Sequence, residues 1–136
     1  RLKVEKLIEH FSMPKFYHRS LQLEDQVLED VLKKSKKYFH WKYLDNSHAP
    51  AKDDLGFPNF EAAYYQLMRE LTDLLISEID VICETLPKRI YIDGGFSDNK
   101  VFLALLKKQF PQQKIKAKPA SFACALGAAQ LITKSL

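Results

Sequence analysis

A short apolar run that ends in two adjacent glycines constrains the fold of this chain more than any other feature. The stretch RIYIDGGFSDNKVF, residues 89–102, passes from alternating apolar positions into Asp-Gly-Gly and then into an amphipathic pattern. A simple turn needs one glycine at most, and the whole chain contains only four. Tandem glycines at the end of a strand therefore indicate a backbone that bends sharply or that a ligand approaches closely.

The sequence around these glycines alternates between helical and strand patterns. Five elements are predicted in this order: a long helix over 60–84 capped by Asn59, a buried strand over 89–93, a helix that Ser97 or Asp98 can cap, a strand over 114–118, and a last helix from Ser121. This order is typical of an α/β fold with parallel strands and right-handed crossovers.

Residues 1–57 have a different pattern from residues 58–136. Two amphipathic helices are predicted over 2–11 and 23–36, and a long aromatic connection punctuated by proline and glycine follows them. Its aromatic side chains form either a binding platform or the hydrophobic anchor of the loop itself; they are Tyr38, Phe39, Trp41 and Tyr43. We therefore predict a helical segment with its connecting loop over 1–57 and an α/β part over 58–136.

Composition indicates a globular protein of the cytoplasm. Hydrophobic residues make up 46% of the chain and charged residues 28%, and no apolar run approaches the roughly 20 residues of a membrane span. The charged first residues exclude a signal peptide, and the start at Arg1 indicates a piece of a longer protein. Cys83 and Cys124 lie in apolar patterns, as reduced thiols do. We expect no membrane partner.

The positive charge is concentrated near the C-terminus. The net charge is +4, and after Asp98 the sequence contains seven lysines and no acidic residue. Such a segment attracts anions, including nucleic acid, but the alternating lysines of KIKAK (114–118) are equally typical of a strand edge that resists pairing. We favour the strand edge and expect no nucleic-acid partner. The four histidines lack metal-ligand spacing, so no metal ligand is predicted.

The position of the tandem glycines favours a ligand. In open α/β sheets, ligands bind where the carboxyl ends of strands lead into helix N-termini, and glycines let backbone approach a phosphate or ribose. Asn99 lies in the first helical turn, where its amide would reach the same ligand. The dinucleotide and P-loop glycine patterns are both absent, and a tight turn without a ligand is the alternative. The small residues of ACALGAAQ (123–130) add a second close-approach site, so a nucleotide pocket is the better hypothesis.

IYIDGGFSDNKVFLALLKKQFP followed by ACALGAAQL resembles the C-terminal part of the FGGY family of carbohydrate kinases. That family includes glycerol, xylulose, rhamnulose and fuculose kinases, and the resemblance covers about residues 59–133. It implies a partial actin-like ATPase fold with ribonuclease-H-like α/β units, here preceded by extra helices. It also implies an enzyme that transfers the γ-phosphoryl group of ATP to a sugar hydroxyl with Mg²⁺.

The resemblance implies an ATP-binding set of Gly94, Gly95, Phe96 and Asn99. The glycines would lie against the phosphate–ribose region, Asn99 would contact the nucleotide, and Phe96 would touch the adenine or pack. Phe122 departs from the family, which commonly has an acidic residue there.

In the family, the catalytic carboxylate and most sugar contacts belong to the N-terminal lobe, so no catalytic residue and no Mg²⁺ ligand is assigned in this chain. Asp93, at a strand end before the glycines, is expected to brace the turn. The chain alone is expected to be inactive and to associate through the lobe surface left exposed. The alternative is a non-catalytic nucleotide-binding or protein-interaction module with a kinase-like fold.

Overall fold

The computed structural model describes residues 2–41, 50, 52–85, 88–92 and 99–116. The elements in this part of the chain are the helices α1 (Leu2–His10), α2 (Asp25–Leu32), α3 (Phe60–Ile82) and α4 (Lys100–Gln109), a 3-10 turn (Tyr17–Ser20), and the strands β1 (Arg89–Tyr91) and β2 (Lys114–Lys116). The chain divides into two compact units, and the division falls inside α3 after Glu70. None of the described helices is long and apolar enough to cross a membrane.

The first unit packs α1, α2 and the start of α3 around aromatic side chains of the connection. Its buried apolar residues include Val4, Leu7, Leu28, Val31, Phe39, Trp41, Phe57, Phe60 and Tyr64. Phe39 and Trp41 are almost completely buried, at 1% and 2% exposure. The hydrophobic-anchor interpretation is therefore confirmed for these two side chains, whereas Tyr43 lies outside the described residues.

Helix α1 ends in a compact hydrogen-bonded turn. Ser12 adopts the left-handed region with φ 54°, while its N–H bonds to the Glu9 carbonyl and the Met13 N–H bonds to the Ile8 carbonyl. This pair of bonds is the Schellman arrangement, in which glycine is the usual residue at the left-handed position. The helix therefore stops before Pro14, as the sequence predicts.

Helix α3 begins at the predicted cap. The Asn59 Oδ1 accepts a hydrogen bond from the Ala62 N–H at 2.8 Å, which satisfies one of the free donors of the first turn. The predicted apolar face is buried apart from Leu74, which is half-buried; its other members are Ala63, Leu67, Leu71, Leu75 and Ile79. The helical period of the sequence thus placed this face correctly.

Helix α2 is shorter than the predicted 23–36, because it begins at Asp25 and ends at Leu32. Four lysines between 33 and 37 would repel one another along a continued helix. The backbone beyond Lys36 also has other hydrogen-bond acceptors, described below.

The second unit contains a parallel pair of strands joined through α4. Arg89 pairs with Lys114, Ile90 with Ile115 and Tyr91 with Lys116, which confirms the predicted parallel direction. The predicted inner face of α4 is fully buried and consists of Val101, Phe102, Leu105 and Leu106. The last predicted helix, from Ser121, lies outside the described residues. The actin-like architecture stays a prediction.

Candidate functional site

The candidate site begins where β1 ends. Ile90 and Ile92 are completely buried, and the Ile92 N–H donates to the Lys116 carbonyl at 2.8 Å. At the other end of the pair, the Lys114 N–H donates to the Lys88 carbonyl at 2.9 Å. This pairing fixes the direction in which the chain enters the Asp-Gly-Gly segment.

Asn99 stands on the far side of that segment and caps α4. Its Oδ1 accepts a hydrogen bond from the Phe102 N–H at 3.0 Å, and its carbonyl accepts one from the Leu103 N–H at 3.0 Å. The prediction of Ser97 or Asp98 as the cap was therefore wrong. Asparagine, serine and aspartate are nearly equal as caps, so local preference does not distinguish among them.

The start of α4 favours an anion. Its first turn contains Lys100 and no acidic residue, and Lys107 and Lys108 lie in its last turn. The N-terminal end of a helix carries a partial positive charge, and its unpaired N–H groups bind phosphate readily. One of those N–H groups, that of Phe102, is already bonded to Asn99.

The structure describes one of the four residues predicted to contact a nucleotide. Asn99 lies between the end of β1 and the start of α4, where its side-chain oxygen is engaged in the cap. Gly94, Gly95 and Phe96 lie outside the described residues, and so do Asp93, Phe122 and the ACALGAAQ segment. The predicted contacts of these residues with ATP stay predictions.

The described histidines have packing or hydrogen-bonding neighbours. The ring of His10 packs edge-on against Phe11 at 4.7 Å between centroids, and the His40 Nδ1 lies 3.1 Å from the Pro50 carbonyl oxygen. His18 lies beside Tyr64, and its partial burial lowers its pKa. Among the described residues, no group of three or more histidine, cysteine or acidic side chains is arranged to hold a metal ion.

One buried carboxylate was not found from the sequence. Glu70, 1% exposed, accepts hydrogen bonds from the backbone N–H groups of Tyr38 at 3.0 Å and Phe39 at 3.2 Å. The Gln66 Nε2 donates a third bond at 2.9 Å. Burial raises the pKa of Glu70, while these three bonds act in the opposite direction. The helical period does place position 70 on the buried face with Leu67, and this was the available signal.

A second carboxylate continues the same pattern. The Asp53 Oδ1 accepts the His40 N–H at 2.8 Å, and both of its oxygens bind the Lys3 ammonium, at 2.8 and 3.0 Å. Three consecutive backbone N–H groups, from 38 to 40, are therefore bonded to two carboxylates. These residues hold the aromatic connection in place.

Comparison with family models, with curated proteins and with solved structures finds no match to this chain. The resemblance to FGGY kinases therefore depends on the two sequence motifs at their observed separation.

Proposed function

We propose that this chain is the C-terminal, ATP-binding part of a carbohydrate kinase of the FGGY type. The observation that carries the proposal is the parallel β1–β2 pair joined through α4, with the Asp-Gly-Gly segment between the end of β1 and the capped start of α4. Nucleotides in α/β proteins bind at this kind of strand-to-helix junction.

Each predicted contact residue has a distinct part in the proposed site. Gly94 and Gly95 present backbone without a Cβ, so that phosphate or ribose can approach closely. The start of α4 contributes a partial positive charge. The Asn99 Oδ1 caps the first turn, and its side-chain NH₂ group would donate to the nucleotide. Phe96 packs against the adenine or against the protein. None of these residues accepts a proton from the sugar.

The chemistry requires further groups. When bound, ATP supplies the phosphoryl group and Mg²⁺ neutralises the charge that develops during its transfer. Positioning and electrostatic stabilisation come from both sides of the nucleotide in phosphoryl transfer. The residues of this chain therefore bind and orient ATP, and the base and the sugar contacts belong to the preceding lobe of the proposed kinase.

Titration of the ¹⁵N-labelled chain with Mg²⁺–ATP tests the proposal. We expect chemical-shift changes at the amides of Ile92, Asn99 and Lys100, and loss of these changes in Gly95→Val because its side chain would occupy the space of the nucleotide. Gln112→Ala is the control, since Gln112 is exposed on the turn before β2. Absence of shifts at these amides, or the same shifts in Gly95→Val, would contradict the proposal.

Two substitutions at Asn99 separate its cap from its proposed nucleotide contact. Asn99→Ser keeps a capping oxygen, so amide exchange of α4 should stay near that of the unmodified chain. Loss of one hydrogen bond should nevertheless weaken ATP binding by about tenfold. Asn99→Ala should weaken both the helix and the binding. Unchanged affinity in Asn99→Ser would limit Asn99 to the cap.

The alternative function is a non-catalytic nucleotide-binding or interaction module. Phe122 favours it, because an aromatic ring replaces the acidic residue that the family commonly carries there. The sequence that precedes Arg1 in the gene distinguishes the two. A lobe with a glycine-rich phosphate turn and a carboxylate base supports the kinase, whereas an unrelated sequence supports the module.

A further inference from the structure

An open groove lies in the first unit between α2 and the start of α3. Its volume is about 610 Å³, and its apolar lining includes Val27, Val31 and Ala62. Val27 and Val31 are one helical turn apart on the same side of α2, where Val27 is half-buried and Val31 is 3% exposed. Grooves with an apolar lining commonly bind the apolar face of an amphipathic helix.

The charged residues at the groove are mainly acidic. Glu24, Asp30 and Glu61 line it, and none of the three forms an ion pair with another residue in the described ranges. Two of them bind neutral donors: Glu61 accepts from the Tyr17 hydroxyl at 2.6 Å, and Asp30 accepts from the Gln26 Nε2 at 2.9 Å. With Lys34, which also lines the groove, the three carboxylates give the lining two more negative than positive charges.

Carboxylates at the groove contribute to the raised pKa values of two nearby tyrosines. The hydrogen bond to Glu61 raises the pKa of Tyr17, and burial and the charges of Glu61 and Glu24 act in the same direction. Burial raises the pKa of Tyr65, and the charges of Glu24 and Glu61 add to the effect. The lysine that lines the groove, Lys34, has its ammonium 5.5 Å from the ring centre of Tyr38. A cationic occupant is therefore favoured.

The outer face of α4 has the matching pattern. Lys100, Lys107 and Lys108 are exposed, and Leu103 and Ala104 between them are half-buried. These five positions follow the helical spacing i, i+3, i+4, i+7 and i+8, so they form one face of the helix. The outer face of α4 therefore has lysines around a small apolar centre. It is complementary to the groove, in which carboxylates surround an apolar lining.

We propose that the groove of one copy of this chain binds the outer face of α4 of a second copy. Leu103 and Ala104 would pack on the half-buried Val27 and Ala62, while the lysines would face the carboxylates. The two surfaces differ, so the contact is head-to-tail and can add further copies. Because it depends on exposed charges around a small apolar area, it is weak and sensitive to salt.

Sedimentation of the full chain at increasing concentration tests this contact. At low ionic strength we expect a mass that rises above that of the monomer at high micromolar concentration and returns toward it when salt is added. Glu24→Lys with Asp30→Lys, and separately Lys107→Glu with Lys108→Glu, should each weaken association by about tenfold or more. A chain that stays monomeric at low salt up to low-millimolar concentration would overturn the proposal.

Matched variants separate a specific contact from a change in net charge. Glu5→Lys with Glu9→Lys and Lys6→Glu with Lys52→Glu alter, by the same charge, exposed residues that belong neither to the groove lining nor to α4. They should leave association within about twofold of that of the unmodified chain at the same ionic strength. An equal loss in these controls would contradict the proposed contact. Trp41 fluorescence verifies that every variant keeps a folded first unit.

A mixture of the two double variants provides the decisive measurement. Each is expected to associate poorly alone, because like charges face each other at its own contact. In the mixture, the acidic groove of the Lys107→Glu, Lys108→Glu chain can bind the unaltered α4 of the other variant. The reversed groove can likewise bind the reversed helix. Recovery of association in the mixture supports the proposal, and failure to recover would refute it.

Discussion

Glu70 determines the course of a segment that lies more than thirty residues earlier in the chain. Its carboxylate is completely enclosed and accepts the backbone N–H groups of Tyr38 and Phe39, so it satisfies donors that a strand partner would otherwise satisfy. A buried carboxylate needs such donors because it has lost its hydration. Glu70 and the segment over 36–41 are therefore mutually dependent.

The stability that Glu70 contributes should depend on pH. Burial raises its pKa from the ordinary value of 4.5, so the folded chain binds this proton more tightly than the unfolded chain does. The contribution is therefore fully present below pH 4.5 and is lost as the pH rises through the raised pKa. Relative to Glu70→Gln, which cannot titrate, the unmodified chain should gain stability on acidification, by about 1.4 kcal/mol for each unit of pKa shift.

Urea denaturation followed by the fluorescence of Trp41 measures this difference. Trp41 is the only tryptophan in the sequence and is buried in the first unit, so it reports on the same unit as Glu70. Glu9→Gln, which alters an exposed carboxylate on α1, is the control and should show a smaller pH dependence. A difference between Glu70→Gln and the unmodified chain that stays constant from pH 4.5 to neutrality would argue against this assignment.

The helix N-caps show how far single residues can be predicted from the sequence. Asn59 was predicted correctly, because it directly precedes a long amphipathic pattern and has no competing cap beside it. Before α4, three adjacent residues are all good caps, and the structure selects Asn99 over Ser97 and Asp98. The local sequence predicted that α4 has an N-terminal cap but did not determine which of the three residues forms it.

The aromatic connection is held to α1 by an ion pair that is largely enclosed. The side chains of Lys3 and Asp53 are only 11% and 13% exposed, and Asp53 also accepts the His40 N–H. The Lys3 ammonium lies 5.1 Å from the ring centre of Trp41, which adds a cation–π contact. One ion pair therefore connects α1, the connection and the aromatic core of the first unit.

Asp53→Ala should destabilise the first unit by about 3 kcal/mol, because it leaves an enclosed ammonium and a backbone N–H without an acceptor. Lys36→Ala is the matched comparison, since the Lys36–Asp54 pair is exposed, at 66% and 43%. It should cost no more than about 1 kcal/mol. Urea denaturation followed by Trp41 fluorescence measures both, and equal losses would show that enclosure adds nothing to the Lys3–Asp53 pair.

The elements that were predicted well are those determined by local pattern. Helices α1, α3 and α4 follow the period of their apolar residues, and β1 and β2 lie within the predicted ranges. The end of α2 and the course of 36–41 depend instead on the hydrogen bonds that Tyr38 and Phe39 donate to Glu70. These partners are separated by more than thirty residues in the sequence. A prediction from neighbouring residues does not include such distant partners. The predicted helix over 23–36 was therefore longer than α2.

The ATP-site proposal lies within one compact unit, whereas the association proposal uses both. The residues at the candidate ATP site belong to the unit that begins at Leu71, and so does the outer face of α4, whereas the acidic groove belongs to the unit that ends at Glu70. The groove variant Glu24→Lys with Asp30→Lys therefore tests association without altering a residue of the unit that contains the candidate ATP site. Sequence located the junction of strand, glycines and helix, because that junction is local. A complete kinase site is made by two lobes, which no local pattern in this chain encodes.

The proposed function assigns nucleotide binding to this chain and catalysis to a preceding lobe. It therefore predicts that the purified chain binds ATP and phosphorylates no sugar. In the proposed function Gly94, Gly95, Phe96 and Asn99 orient the nucleotide, and none of these residue types can act as a carboxylate base. Phosphoryl transfer also requires the nucleophile to be held in line with the phosphate. Incubation with labelled ATP and glycerol, xylulose, rhamnulose or fuculose should give no labelled sugar above a blank without protein. The Asn99 amide should still shift with ATP in the same sample.

Under the proposed function, a preceding kinase lobe supplied as a separate chain should restore transfer to one of these sugars. Gly95→Val in the present chain should remove that restored activity, because it blocks the nucleotide and leaves the sugar contacts intact. Gln112→Ala should preserve it. Phosphorylation of any sugar by the chain alone, lost in Gly95→Val, would mean that a catalytic base is present in these 136 residues. The division of the kinase into a nucleotide part and a catalytic part would then be wrong.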